Sequence, residues 1–159
     1  MALFDPKKTE RLMTMQLRAL GWTKIPLLAL CRPQVKELTE KRVVIKLPLN
    51  RMTKNHWGSM YFGALAVGAD VSGGFLAWHK IKQSGADISL IFKDFHAEFM
   101  RRPETDTFFI CEDGEMIDGL LKRAISSGER QTETVNISAY DENEQKVCHF
   151  KLSLSLKRK

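Results

Sequence analysis

Asp70 is the one carboxylate in NHWGSMYFGALAVGADVSGGFLAWH, the stretch from Asn55 to His79, which is otherwise apolar, small or neutral almost throughout. An ionised carboxylate taken from water without partners costs on the order of several kcal/mol or more, so a carboxylate here calls for a reason. Positioned carboxylates attack carbon centres or activate water as general bases. The architectural alternative is a buried carboxylate that caps loop N–H groups or pairs with Arg. Asp94, His96 and Glu98 also share one face of a predicted strand and are of metal-ligand type, but a solvated face or subunit contact explains them more simply, and no metal is expected.

The elements that must position Asp70 follow from hydrophobic period and from breakers. Asp5 and Pro6 read as the N-cap and first turn of a helix that carries Leu12, Met13, Leu17 and Leu20 on one side and ends at Gly21. Trp22 to Pro33 is a short apolar connection broken at Pro26, with room for a further helical turn. From Arg42 onward, Val43, Ile45, Leu47 and Leu49 alternate with Val44, Lys46 and Pro48, the pattern of a half-buried strand within a hairpin. Met60 to Trp78 is predicted as a helix of about five turns. Gly63, Gly68, Gly73 and Gly74 each weaken it by roughly 1 kcal/mol relative to Ala, so packing must hold it. Small residues let other backbone approach closely, which suits a central helix wrapped by a sheet.

Beyond that helix, Phe95, Ala97 and Phe99 alternate with polar residues, and TFFICE forms another strand. Ile117, Leu120, Leu121, Ala124 and Ile125 then repeat at helical spacing between Asp113-Gly114 and Gly128. Val135, Ile137 and Ala139 lead through the turn DENEQ into Cys148, Phe150, Leu152, Leu154 and Leu156, a long antiparallel hairpin. Strands before and after one buried helix argue for an α+β domain over 1–159, with 1–33 as a helical segment packed on it.

Composition bounds the rest. A chain of 159 residues suffices for one core. The three cysteines, Cys31, Cys111 and Cys148, have neither zinc nor redox spacing and suggest no disulfide framework, which points to the reducing cytoplasm. The N-terminus lacks the apolar core of a signal peptide, and no stretch reads as a membrane span. A net charge of +6, gathered in pairs such as Lys41-Arg42, Arg101-Arg102 and Lys122-Arg123, suits a phosphorylated small ligand or a nucleic acid where it is not simply a solvated surface.

The pattern around Asp70 resembles the hotdog-fold acyl-CoA thioesterases of the phenylacetate-pathway type. Their signature reads Asn-x-x-Gly-x-x-His-Gly-Gly, followed by an acidic residue nine positions after the His. Asn55, Gly58, Tyr61, Phe62, Gly63 and Asp70 fall on those positions, with Tyr61 in place of His and Phe62 in place of the first Gly of the pair. The likeness runs from about Val35 to Leu156 and includes FMRRP and the closing hairpin. It implies a hotdog fold, an antiparallel sheet wrapped around a central helix. The additional amphipathic helix Glu115 to Ser126 resembles a less characterised branch of uncertain substrate.

The resemblance further implies hydrolysis of acyl-CoA without a cofactor, by a homodimer or dimer of dimers (a homotetramer). Asp70 of one subunit would work beside Asn55 and Phe62 of another. Thioester cleavage needs donors aimed at the developing oxyanion, and N–H groups at a helix start are unpaired where the macrodipole also favours an anion. The implied catalytic set is therefore Asp70, Asn55, Phe62 and Gly63, with the Phe62 N–H as donor, Asn55 at the same carbonyl, and Asp70 as nucleophile or general base. His56 and Tyr61 would border the substrate, while Arg101, Arg102 and Lys122 would meet the coenzyme phosphates.

Two other readings compete. A hotdog module that binds acyl chains or carriers without turnover is motivated by Tyr61, and by Gly74 where some members carry a hydroxyl residue. A nucleic-acid binder rests on charge alone and is disfavoured. A hydratase is disfavoured too, because Phe75 stands where some hydratases place His. Trp57, Phe75 and Trp78 are expected in the core or lining an acyl pocket.

Overall fold

The computed structural model describes residues 6–159; Asp5 and its predicted cap lie outside the described residues. The elements run α1 (Pro6–Lys24), α2 (Pro26–Cys31), β1 (Gln34–Leu38), β2 (Val43–Leu47), α3 (Phe62–Ser84), β3 (Ile88–Phe99), β4 (Thr107–Cys111), α4 (Gly114–Ser127), β5 (Gln131–Tyr140) and β6 (Lys146–Arg158). All strand pairs are antiparallel, and the sheet has the order β1-β2-β4-β5-β6-β3. The long β5–β6 hairpin sets Val135 opposite Leu152 and Ile137 opposite Phe150. Alternation then puts these side chains on one face, where all four are buried.

That face is filled by α3, which packs against β2, β3, β4, β5 and β6. Leu65, Ala69, Leu76 and Ala77 of α3 meet Ile45, Leu47, Phe109 and Leu154 of the sheet in one core. A helix apolar on nearly every side is stable only when surrounded, and here α2 and α4 also pack on α3. The result is the sheet-wrapped helix that the hotdog resemblance implies.

Gly68 shows why the helix is rich in small residues. A Cβ at this position would collide with the tip of the Phe109 ring, whose side chain is fully buried. Gly68→Ala is therefore expected to destabilise the protein by about 1–3 kcal/mol through overpacking, despite the better helix propensity of Ala. Thermal melts of Gly68→Ala, Phe109→Leu and the double variant check this. The smaller ring-free side chain should offset part of the Gly68→Ala loss, and strictly additive losses would contradict it.

Several boundaries differ from the sequence expectation. Gly21 does not end α1 but lies inside it, because α2 folds back so tightly that a Cβ there would meet the Ala29 backbone nitrogen at 2.9 Å. β2 stops at Leu47, since Pro48 lacks an N–H and the Leu49 N–H bonds the Asp106 carboxylate at 2.8 Å. Helix α3 extends to Ser84, beyond the predicted Trp78, and closes on Gly85 in the left-handed conformation. The extension is held by Lys80, whose side chain is buried and whose Nζ lies 2.8 Å from Asp118 and 3.4 Å from Glu40. Trp57 is not core: it stands exposed in the loop before α3.

Candidate active site

The loop leading into α3 is built by its own side chains. Thr53 is fully buried; its hydroxyl donates to the Pro48 carbonyl at 2.7 Å and accepts from the Asn50 N–H at 3.0 Å. Asn55 folds the tip: its Oδ1 accepts from the Trp57 and Ser59 N–H groups at 2.9 and 3.2 Å, and its Nδ2 donates to Ser59 Oγ at 3.1 Å. Gly58, at φ +80°, closes this turn where an L side chain would be strained. Asn55 in the single chain thus shapes the loop with its amide oxygen rather than presenting it.

The loop fixes where α3 begins. Met60 and Tyr61 stay extended because their N–H groups bond the Pro103 and Thr53 carbonyls, each at 2.8 Å. The Leu65 N–H then bonds the Tyr61 carbonyl at 3.1 Å, and no side chain caps the helix. The N–H groups of Phe62, Gly63 and Ala64 therefore lack intrahelical acceptors at the positive end of the macrodipole. The Tyr61 ring packs against Phe62, centroids 4.8 Å apart, and lies where a Cβ on Gly63 would stand. A side chain at Gly63 would have to displace this exposed ring.

Among the described residues Asp70 meets no Arg and caps no N–H. Burial is the sole influence on its carboxyl, with no hydrogen bond or charge contributing, and it raises the pKa above the ordinary 3.8. The side chain is nonetheless open to solvent in the single chain and borders a cavity of about 550 Å³ between α1, α2, α3 and β3. Solvent access and crowding coexist here because the carboxylate sits at the cavity mouth. The architectural explanation, a carboxylate satisfied by local partners, loses its support.

Phe62 and Asp70 are eight residues apart on one continuous helix, about 12 Å along its axis. The two cannot touch the same carbonyl group within one chain. Arg101 and Arg102 follow β3 directly. The Arg101 guanidinium donates to Gln145 Oε1 at 2.8 Å, whereas that of Arg102 lies over the Trp57 ring, 5.6 Å from its centroid. His56 neighbours the same indole at 5.2 Å, so His56, Trp57 and Arg102 cluster beside the start of α3.

Lys122 is not brought to that group. It lies one turn beyond Asp118 on α4, and Asp118 holds Lys80, eighteen residues and about 27 Å along α3 from Phe62. Lys80 itself escapes sequence reasoning; the only signal is a lysine interrupting an apolar helical run. On the other sheet face, Asp94 accepts from the Ser153 hydroxyl at 2.8 Å and His96 lies 3.6 Å from Glu98. Among the described residues no group of His, Cys, Asp and Glu is arranged to hold a metal ion. A larger hollow of about 610 Å³ lies away from Asp70, lined by Glu37, Asp141, Glu142 and Glu144 among others. Lys36 and Arg42 line it too, but the four carboxylates outnumber these two cations, which makes it a poor seat for a phosphorylated ligand.

Comparison with known proteins agrees with this architecture. PA5026 of Pseudomonas aeruginosa, described as a protein of unknown function and "Probable Thioesterase", is 25% identical over 92% of this chain and 96% of its own, with a TM-score of 0.76. A mutant form of the thioesterase PA1618 from the same organism has 16% identity and a TM-score of 0.70 over 92% of this chain and 94% of its own. Thioesterase HI1161 of Haemophilus influenzae has 11% identity and a TM-score of 0.62 over 98% and 92%. No curated protein matches the chain in sequence. Residues 14–156 match the family described as "Domain of unknown function (DUF4442)". With a six-stranded antiparallel sheet wrapped around α3 and a family match over nearly its whole length, the chain belongs to the DUF4442 family and has the hotdog fold of the thioesterases it resembles.

Proposed function

We propose that this protein hydrolyses acyl-CoA thioesters in a site shared between two copies of the chain. The observation that carries the reading is Asp70, a carboxylate without a partner on the central helix, at the mouth of an apolar cavity. The carboxylate attacks the thioester carbon or activates water, and the uncapped N–H groups at the start of the other copy's α3 receive the developing oxyanion. Thioesterase names among the structural neighbours support the reaction class.

The axial separation of Asp70 and Phe62 supports a shared site, and β3 offers the surface for pairing. It is an edge strand of 12 residues, and long open edges invite strand addition. Phe95 and Phe99 flank Ala97, the partner of Phe150, and so face the same side as that buried ring, yet both remain about half exposed at 45% and 54%. A second copy paired along β3 covers them. A dimer, or a dimer of dimers, is the assembly this reading requires.

Among the described residues no helix is long and apolar enough to cross a membrane. The three cysteines are buried free thiols, and burial pushes Cys111 up to about 12, so none is a rival nucleophile. Unpaired thiols suit the cytoplasm.

The direct test is release of free coenzyme A from a panel of acyl-CoA thioesters by the purified protein. Binding without release would leave an acyl-CoA-binding protein in place of an enzyme. Arg101 and Arg102 are proposed to meet the coenzyme phosphates, near Trp57 and the start of α3. Arg101→Glu with Arg102→Glu is then expected to raise KM for acyl-CoA at least tenfold more than for a short acyl thioester lacking the nucleotide. Equal effects on both substrates would place these arginines outside phosphate recognition.

A further inference from the structure

Asp70, Gly74 and Trp78 stand at four-residue intervals along one face of α3, and all three border the cavity of about 550 Å³. Its remaining walls are apolar, with Leu17 and Leu20 from α1, Leu28 from α2 and Phe92 from β3 among them. Among the described residues of that lining Asp70 is the only charged one. Gly74 keeps the passage beside it open: a Cβ there would stand 3.6 Å from the Phe92 ring, so a methyl fits while a larger side chain fills the channel. Trp78 stacks on Phe75 at 5.5 Å and also borders a second hollow of about 460 Å³, lined by Ile81, Lys82, Gly85 and Ile88 among others. Its side chain thus borders both spaces.

We infer that this cavity houses the acyl chain of the substrate, which enters past Asp70 and ends at Trp78. Helices α1 and α2, which supply one wall, are then specificity elements. The inference rests on the reading of Asp70 as the group beside the thioester. Asp70 and Trp78 are eight residues apart, about 12 Å along the helix. An extended chain advances ~3.5 Å per three bonds, so this distance holds an unbranched aliphatic chain of roughly ten carbons. No polar group deep in the cavity offers a partner to a hydroxylated or charged acyl group, which would lose its hydration there.

The test measures binding by calorimetry of S-alkyl-CoA thioethers, ethyl to hexadecyl, which carry the chain but have no thioester to cleave. In the unaltered protein the affinity is expected to rise about fourfold per added methylene and to level off near ten carbons, where Trp78 closes the cavity. Gly74→Leu favours the helix and so should fold; it is expected to lower the decyl-to-ethyl affinity ratio at least tenfold. Trp78→Ala joins the two hollows and should move the plateau to dodecyl or longer. Affinity independent of chain length, an unchanged ratio in Gly74→Leu, or an unshifted plateau in Trp78→Ala would each overturn the inference. Because binding is read without turnover, the expected profile in a protein that releases no coenzyme A would retain the acyl pocket and remove the hydrolase.

Discussion

Asp70→Asn is expected to leave the fold and assembly intact and to lower acyl-CoA hydrolysis by roughly 10²-fold or more, the scale for loss of a positioned acid-base group. Asn keeps the volume and removes the charge. The pH dependence carries a second signature. Catalysis needs the ionised carboxylate, and burial raises its pKa above 3.8, so kcat/KM should fall on the acid side with a midpoint above the ordinary value of an Asp. For stability the sign is opposite. A carboxyl whose pKa is raised on folding favours the folded state while it is protonated, and that contribution is lost as pH rises through the raised value. At neutral pH the native chain therefore bears an uncompensated charge, and Asp70→Asn should melt at the same or a higher temperature. A structural carboxylate would behave in reverse, losing about 1–3 kcal/mol of stability on substitution with activity per folded molecule retained. Melting curves and steady-state rates on one preparation separate the two.

Hydrophobic period reveals α4 and the β5–β6 hairpin, because each buries one continuous set of apolar residues, whereas α3 is legible as a long run of apolar and small residues. Gly21 was misleading for a specific reason. Glycine marks helix ends only when the chain needs positive φ, and this one serves close packing against Ala29, which lies in the segment read as a short connection with room for one further turn. The reach of α3 beyond Trp78 was hidden similarly, since Lys80 reads as a surface residue until Asp118 and Glu40 arrive from distant parts of the chain. At the site, Asp70 was legible because a charge breaks an apolar run. The Asn55 turn and the separation of Lys122 from Arg102 were not, because hydrogen-bond geometry and element packing carry no one-dimensional pattern. The aromatic residues Phe95 and Phe99 fitted a strand whichever side they faced; only their exposure points to a second copy.

That second copy yields the sharpest test of the site. Phe62→Pro removes the N–H proposed to bind the oxyanion, together with an exposed ring that packs on Tyr61. Proline is tolerated at the first helical position, and the preceding Tyr61 already has φ −63° and ψ 138°, the extended conformation that a residue before proline requires. Removing one oxyanion donor is expected to cost roughly 10²–10³ in kcat, so Phe62→Pro and Asp70→Asn should each be nearly inactive alone. Mixed and allowed to exchange subunits, half of the dimers contain one chain of each kind. If Asp70 acts on a substrate held by the partner's helix start, each mixed dimer has one intact site of two, and the preparation recovers about one quarter of the unaltered rate. If both groups acted within a chain, every site in the mixture would stay broken. Recovery that appears only after subunit exchange, measured by release of coenzyme A, would establish that hydrolysis takes place between two copies; no recovery despite demonstrated exchange would refute the shared site. The 12 Å or so between the two groups along α3 is the reason to expect recovery.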